Sequence, residues 1–189
     1  MKILIFDTET GGLNPCWNDI LQLSFQVIDG GTFQTLRRSN YYFPWPDDTS
    51  RIESGAVQVN GLTEEFLATQ HLYERYEGLS HFIDELNECG LCVAHNGCFD
   101  KSFIDATARR EGLPPIKWPP MIDTMKTTVN LCKLPSRRGG CGYKYPKLIE
   151  LAECLRIRTD DINLHDSTAD VELTKRCFIY LLKNRFYNI

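Results

Sequence analysis

The sequence predicts an α/β domain built on one mixed sheet with helices on its faces, and three observations carry that prediction. Ile3, Leu4, Ile5 and Phe6 form a continuous apolar run, as in a strand buried on both faces at the centre of a sheet. Leu21, Leu23, Phe25 and Val27 alternate with Gln22, Ser24 and Gln26, the period-two pattern of a half-buried strand. After residue 60, helical spacings and short apolar strand runs alternate, which is the order expected when helices cover a sheet.

Each element follows from local chemistry. Asp29-Gly30-Gly31 is a turn signal, so the first strand, the 21–27 strand and a weaker strand over 32–43 make an antiparallel meander. Pro44-Trp45-Pro46 ends it, and a loop is expected to run to Gly61. Thr63 reads as an N-cap, with Glu64 and Glu65 favourably placed against the helix dipole. Leu79, Phe82, Ile83 and Leu86 give a helix over about 76–89; a short strand follows over 91–95, then a helix over 99–111. Prolines 114, 115, 119 and 120 break the chain before a short strand at 121–124 that enters a helix. A glycine-rich basic loop covers 133–147, Pro146 sits near the start of a helix to about 155, and a last helix spans about 168–182.

Length and composition bound the rest. A chain of 189 residues fits a single domain, 1–189, with a sizeable core. The net charge of −4 leaves no global basic field to attract nucleic acid, although a site made of carboxylates itself lowers the balance. No apolar stretch approaches a membrane span, and strand residues begin at position 3 where a signal peptide would lie. A cytoplasmic location with reduced thiols is therefore expected for the eight cysteines. Cys89 and Cys92 form a CxxC without a second pair at zinc-finger spacing, and packing is the ordinary role of such a pair.

Chemistry concentrates in three places. Asp7 and Glu9 leave one face of the first strand a single strand step apart. Two carboxylates there are costly unless paired or metal-bound. In Ala94-His95-Asn96-Gly97-Cys98-Phe99-Asp100 a strand ends, Asn96-Gly97 turns, and Asp100 lies in the first turn of a helix, at the kind of strand-to-helix junction where α/β sheets bind ligands. In His165-Asp166-Ser167-Thr168-Ala169-Asp170, five residues of helix rotate a side chain by about 140° from the first direction. His165 and Asp170 therefore reach one point only if His165 precedes the helix and Asp170 lies in its first turn.

Phe6-Asp7-Thr8-Glu9-Thr10, Asn96-x-x-Phe99-Asp100 and His165-x4-Asp170 resemble, in order, the three motifs of the DEDD exonuclease superfamily. The histidine places the resemblance in the DEDDh branch, with the proofreading epsilon subunit of bacterial replicative polymerase, ribonuclease T and oligoribonuclease. Asn60-Gly61-Leu62-Thr63 and Ile122-Asp123-Thr124 resemble further family segments. The resemblance implies a ribonuclease-H-like fold, with a mixed five-stranded sheet (three antiparallel then two parallel strands) and helices on both faces. It also implies two Mg²⁺ or Mn²⁺ ions, the hard cations that oxygen ligands select. Asp7 would bridge both ions, with Glu9, Asp100 and Asp170 completing the shells. His165 would take the proton from the attacking water. The expected products are nucleoside 5′-monophosphates released from the 3′ end of a single strand, with DNA favoured and RNA, as for ribonuclease T or oligoribonuclease, the alternative.

Further contacts follow from the same resemblance. Thr10 and Gly11 are expected to offer backbone N–H groups to the terminal 3′-hydroxyl. Leu13 is either a wedge beside the last base or plain core. His95 and Asn96 are expected near the substrate, although His95 has an ordinary structural role open to it. Lys133, Arg137, Arg138, Lys144 and Lys147, interleaved with Tyr143 and Tyr145 and free of acids, suit the phosphates and bases of a single strand or form a solvated loop. A catalytically silent nucleic-acid-binding module and a small-substrate phosphodiesterase or phosphatase are the other classes compatible with the motifs. The short chain ends lead to the expectation of no tail for a clamp or polymerase.

Overall fold

The computed structural model describes residues 1–136, 142–160 and 166–187. Five strands form one sheet in the order β3-β2-β1-β4-β5. They are β1 (Lys2–Thr10), β2 (Ile20–Asp29), β3 (Thr35–Tyr42), β4 (Leu91–Ala94) and β5 (Met121–Asp123). β1–β2 and β2–β3 are antiparallel, whereas β1–β4 and β4–β5 are parallel. This is the mixed sheet expected of the ribonuclease-H-like fold. The apolar run of β1 lies at its centre, with Ile3 to Phe6 fully buried.

The period-two geometry of β1 divides the core. Leu4 and Phe6 face α3 (Arg75–Asn87) and α4 (Gly97–Arg110), meeting Leu79, Phe82, Leu86, Phe103 and Ile104. Phe82 packs edge-on against both Phe6 and Phe25, with ring centroids 5.6 and 5.5 Å apart. Ile3 and Ile5 face the other way, towards Val171 and Phe178 of the last helix, α8 (Ser167–Lys183). Asp7 and Glu9 share the parity of Ile3 and Ile5, so they leave β1 on the α8 side. Thr8 leaves on the α4 side.

Two parts of the fold differ from the sequence reading. The stretch expected as a loop to Gly61 contains a 3-10 turn (Thr49–Arg51) and a helix, α1 (Ser54–Asn60), which ends on Gly61 in the left-handed region at φ 71°. Helix α1 buries no residue of its own, so no apolar periodicity announces it; its C-terminal glycine is the local signal. The second difference is β2, which is buried on both faces rather than half-buried. Gln22, Ser24 and Gln26 lie beneath α8 and take part in hydrogen bonds that satisfy them there.

The remaining elements are α2 (Glu64–Leu67), α5 (Thr124–Thr127), α6 (Val129–Cys132) and α7 (Leu148–Cys154). The expected N-cap at Thr63 accepts from the Phe66 N–H. Cys89 and Cys92 are buried packing residues, and burial first of all pushes their thiols up to about 11 and about 12. Among the described residues no helix is long and apolar enough to cross a membrane. Phe82→Ala, which empties the junction between β1, β2 and α3, is expected to lower the unfolding free energy by about 3–5 kcal/mol in urea denaturation; a loss under 1 kcal/mol would contradict this account of the core.

Candidate active site

The candidate site is the C-terminal end of β1. Parallel pairing with β4 runs from Ile3↔Leu91 to Ile5↔Val93, whereas antiparallel pairing with β2 continues through Asp7↔Ser24 and Glu9↔Gln22. The β4 chain turns away into α4, and the end of β1 is left facing the first turns of α4 and α8. Oxygen atoms of Asp7, Glu9 and Asp170 lie within 4.8 Å of one another, and among the described residues this is the grouping able to hold a metal ion. Asp170 comes from the first turn of α8, as its spacing required.

Asp100 enters from the first turn of α4 and is only 3% exposed. Its Oδ1 accepts from the Thr8 N–H at 3.0 Å and from Thr8 Oγ1 at 2.8 Å. Asp100 is therefore tied to the opposite face of β1 and lies outside the tight trio. Its charge nonetheless reaches Asp7, where it is the largest of the repulsions. Asp166, the N-cap of α8, adds a fifth carboxylate that acts on Asp7 and Glu9. It belongs to the quoted third motif, although the sequence assigned it no role.

Burial and repulsion together hold these acids out of their usual range. Burial first, then Asp100, Asp170, Glu9 and Asp166, push the Asp7 carboxyl well above the ordinary aspartate value. Burial, then Asp170 and Asp100, raise Glu9 to about 8, while the Asn60 side chain pulls the other way. Burial raises Asp100 to about 7 against the two Thr8 hydrogen bonds. Carboxylates crowded in this way call for a multivalent cation, and an all-oxygen donor set suits a hard one. The residues present fit divalent-ion binding.

Around the acids, the expected substrate residues divide. Leu13 is 77% exposed, so the core role is excluded. It lines a cleft of about 370 Å³ with Glu9, Thr10, Glu53, Val59 and Phe99. Gly11 departs from expectation, because its N–H already donates to the Asp19 carbonyl at 2.8 Å. Its carbonyl accepts from the Glu53 N–H, and a Cβ here would sit 2.4 Å from Ile52. Thr10 is pinned beside it, with its carbonyl accepting from Asn60 Nδ2 at 3.1 Å and its hydroxyl donating to the Gly12 carbonyl.

His95 has both ring nitrogens engaged, Nε2 with the Pro146 carbonyl and Nδ1 with Thr124 Oγ1, each at 3.0 Å. A carbonyl only accepts, so Nε2 carries the hydrogen; burial foremost lowers its pKa. The ring ties the end of β4 to α5 and to the segment before α7. Asn96 adopts the left-handed conformation at φ 70°, held by its N–H donating to Asp123 Oδ1 at 3.1 Å. His95 and Asn96 line a second cleft, of about 440 Å³, with Met125, Tyr145, Lys147 and Asp170. One cleft reaches the acids at Glu9 and the other at Asp170. His165, Arg137 and Arg138 lie outside the described residues. Of the expected cationic loop, Lys144 is paired with Glu150, an acid beyond the loop, whereas Lys133 and Lys147 are exposed.

Comparison with known proteins gives this geometry a context. The family model described as Exonuclease (RNase_T) matches residues 4–178. The PolC-type DNA polymerase III of Mycoplasmopsis pulmonis is 27% identical over 178 residues, covering 94% of this chain and 11% of that protein. The 3′-5′ exonuclease DinG of Bacillus subtilis is 28% identical over 185 residues, covering 96% of this chain and 18% of that one. The zinc-ion-bound form of the Escherichia coli exonuclease I–single-stranded DNA complex shares the fold, with a TM-score of 0.79 at 19% identity over 97% of this chain and 41% of that chain. The chain thus spans less than a fifth of the length of these two relatives.

The raised carboxyls fix a sign for the pH dependence of stability. Unfolded, these acids titrate near 4. Folded and without a divalent ion, Glu9 and Asp100 hold protons up to about 8 and about 7. Between about pH 4 and 8 the folded chain binds more protons than the unfolded one, so these groups lower stability as pH rises. In a chelator, the Tm of the wild type is expected to fall between pH 5.5 and 8, and Glu9→Gln to flatten the fall; identical slopes would contradict the assignment.

Proposed function

The chain belongs to the exonuclease family, and from that premise we propose that it forms a single metal-dependent exonuclease domain that shortens single-stranded nucleic acid from its 3′ end. The observation that carries the reading is the convergence of Asp7, Glu9 and Asp170 within 4.8 Å at a buried strand end, with Asp100 held beside them by Thr8. Asp7, Glu9, Asp100 and Asp170 would hold two Mg²⁺ or Mn²⁺ ions. Such ions, when bound, supply Lewis acidity to the phosphodiester and make water a better nucleophile at neutral pH.

The chain's own groups perform the remaining tasks. His165 stands one residue before the N-cap of α8, and its ordinary pKa near neutrality suits it to accept the proton of the attacking water. The cleft at Glu9 supports a site for the terminal nucleoside, with Leu13, Val59 and Phe99 as apolar walls for its base. The cleft at Asp170 supports the path of the preceding nucleotides, where exposed Tyr145 offers a stacking surface and Lys147 a phosphate contact. Products would be nucleoside 5′-monophosphates. DNA is the favoured substrate because the relatives include a DNA polymerase and the structural neighbour was crystallised with single-stranded DNA; RNA is the alternative.

The test is a 5′-labelled single-stranded DNA oligonucleotide, with a matched RNA alongside. A ladder shortening from the 3′ end is expected with Mg²⁺ or Mn²⁺, silence in EDTA, and near-complete loss of cleavage in Asp7→Asn. Undiminished cleavage in EDTA or in Asp7→Asn would overturn the reading. Tyr145→Ala is expected to weaken oligonucleotide binding by about 1–3 kcal/mol, roughly 5- to 150-fold in Kd, if a base stacks there; fluorescence anisotropy measures it, and an unchanged Kd would remove Tyr145 from the path.

A further inference from the structure

The buried polar face of β2 has no part in the chemistry just described, yet it meets α8 at the end that carries Asp170. Gln22 Nε2 donates to Asp166 Oδ1 at 3.0 Å and to Asn40 Oδ1 at 2.9 Å, and its Oε1 accepts from the Ser167 N–H. Ser24 Oγ accepts from Ser167 Oγ at 2.6 Å, donates to Asn40 Oδ1 at 2.8 Å, and lies 3.2 Å from Thr168 Oγ1. One turn further along α8, Gln26 donates to Glu172 and accepts from Lys175. Gln22, Ser24 and Gln26 are buried, and these hydrogen bonds give each of them partners.

Apolar packing alone defines the position of a helix along a sheet poorly, because methyl groups interdigitate at more than one setting. Directional hydrogen bonds do not tolerate such slips. A slip of one residue moves an α-helix about 1.5 Å and turns it about 100°, and a slip of one turn moves it about 5.4 Å. Either displacement would remove Asp170 from a carboxylate group only 4.8 Å across. The strand partner is also well placed, since Gln22 sits directly across β1–β2 from Glu9. One side chain thus spans from the neighbour of one acid to the first turn of the helix that brings another.

We propose that Gln22, with Ser24 and Asn40 behind it, is a positioning residue that fixes the axial setting of α8 and thereby the geometry of the Asp7–Glu9–Asp170 group. The inference rests on the metal-dependent reading above. Gln22→Met keeps the volume and removes the side-chain hydrogen bonds to Asn40, Asp166 and Ser167. Outer partners of metal-holding residues typically change metal affinity or activity about 10–100-fold when lost, and that is the range expected here.

The experiment titrates Mn²⁺ against thermal unfolding of the full chain at pH 7.5, followed by steady-state cleavage of a single-stranded oligonucleotide. Gln22→Met is expected to keep a cooperative transition in EDTA, to need about 10–100-fold more Mn²⁺ for the same rise in Tm, and to lose kcat with little change in KM. Ser24→Ala, a smaller change, is expected to move both in the same direction and keeps the test usable if Gln22→Met does not fold. A folded Gln22→Met with the wild-type Mn²⁺ midpoint overturns the proposal. A wild type that takes up Mn²⁺ but cuts nothing overturns the exonuclease reading alone, while the midpoints still decide the role of Gln22. A wild type with neither response overturns both.

Discussion

Everything at the end of β1 depends on the mutual repulsion of crowded, partly or fully buried carboxyl groups. Asp7 sits on the central strand, beyond the point where its parallel neighbour turns away. Burial and four other acids act against its charge. Among the described residues, no lysine or arginine forms an ion pair with Asp7, Glu9 or Asp100. Arginines and lysines pair elsewhere: Arg51, Arg75 and Arg110 surround Asp19, and Lys175 and Arg176 hold Glu172. Among the described residues, these cations therefore do nothing to offset the charge of Asp7, Glu9 and Asp100, and a bound cation would do so.

The sheet and helices are arranged to maintain that crowding. Two apolar cores grip β1, one from α3 and α4 and one from α8. Each helix that contributes an acid does so from its first turn, where the helix dipole favours a negative charge. Thr8 and Asp100 join β1 to α4, and the polar face of β2 joins it to α8. Asp123 serves the same purpose at the side of the site. Its Oδ1 holds Asn96 in its left-handed conformation and caps α5.

How much of this the sequence disclosed depends on how local the cause is. The central strand, the meander, the helices over 76–89 and 99–111 and the position of Asp170 were legible, because periodicity and spacing determine them. The acids were recognisable by their order along the chain. The burial of Gln22, Ser24 and Gln26 was not legible, since an apolar–polar alternation reads the same whether the polar face meets water or the polar side of a helix. The donor of Gly11 and the ring nitrogens of His95 were likewise hidden. Asp19 reaches Gly11 across the turn between β1 and β2, and Pro146, 51 residues beyond His95, is brought near only by the fold. Lys144 looked free in a loop without acids, but its partner Glu150 stands three residues beyond the loop's end.

The central claim is that the acidic end of β1 is completed by divalent cations that displace protons. Isothermal titration of Mn²⁺ into the chelator-treated protein at pH 7.5, repeated in buffers of different ionisation enthalpy, tests it most directly. With Glu9 raised to about 8 and Asp100 to about 7 in the ion-free site, saturable binding with net proton release is expected, and Asp7→Asn should abolish it. Saturable binding without proton release, or binding that survives Asp7→Asn unchanged, would contradict the account.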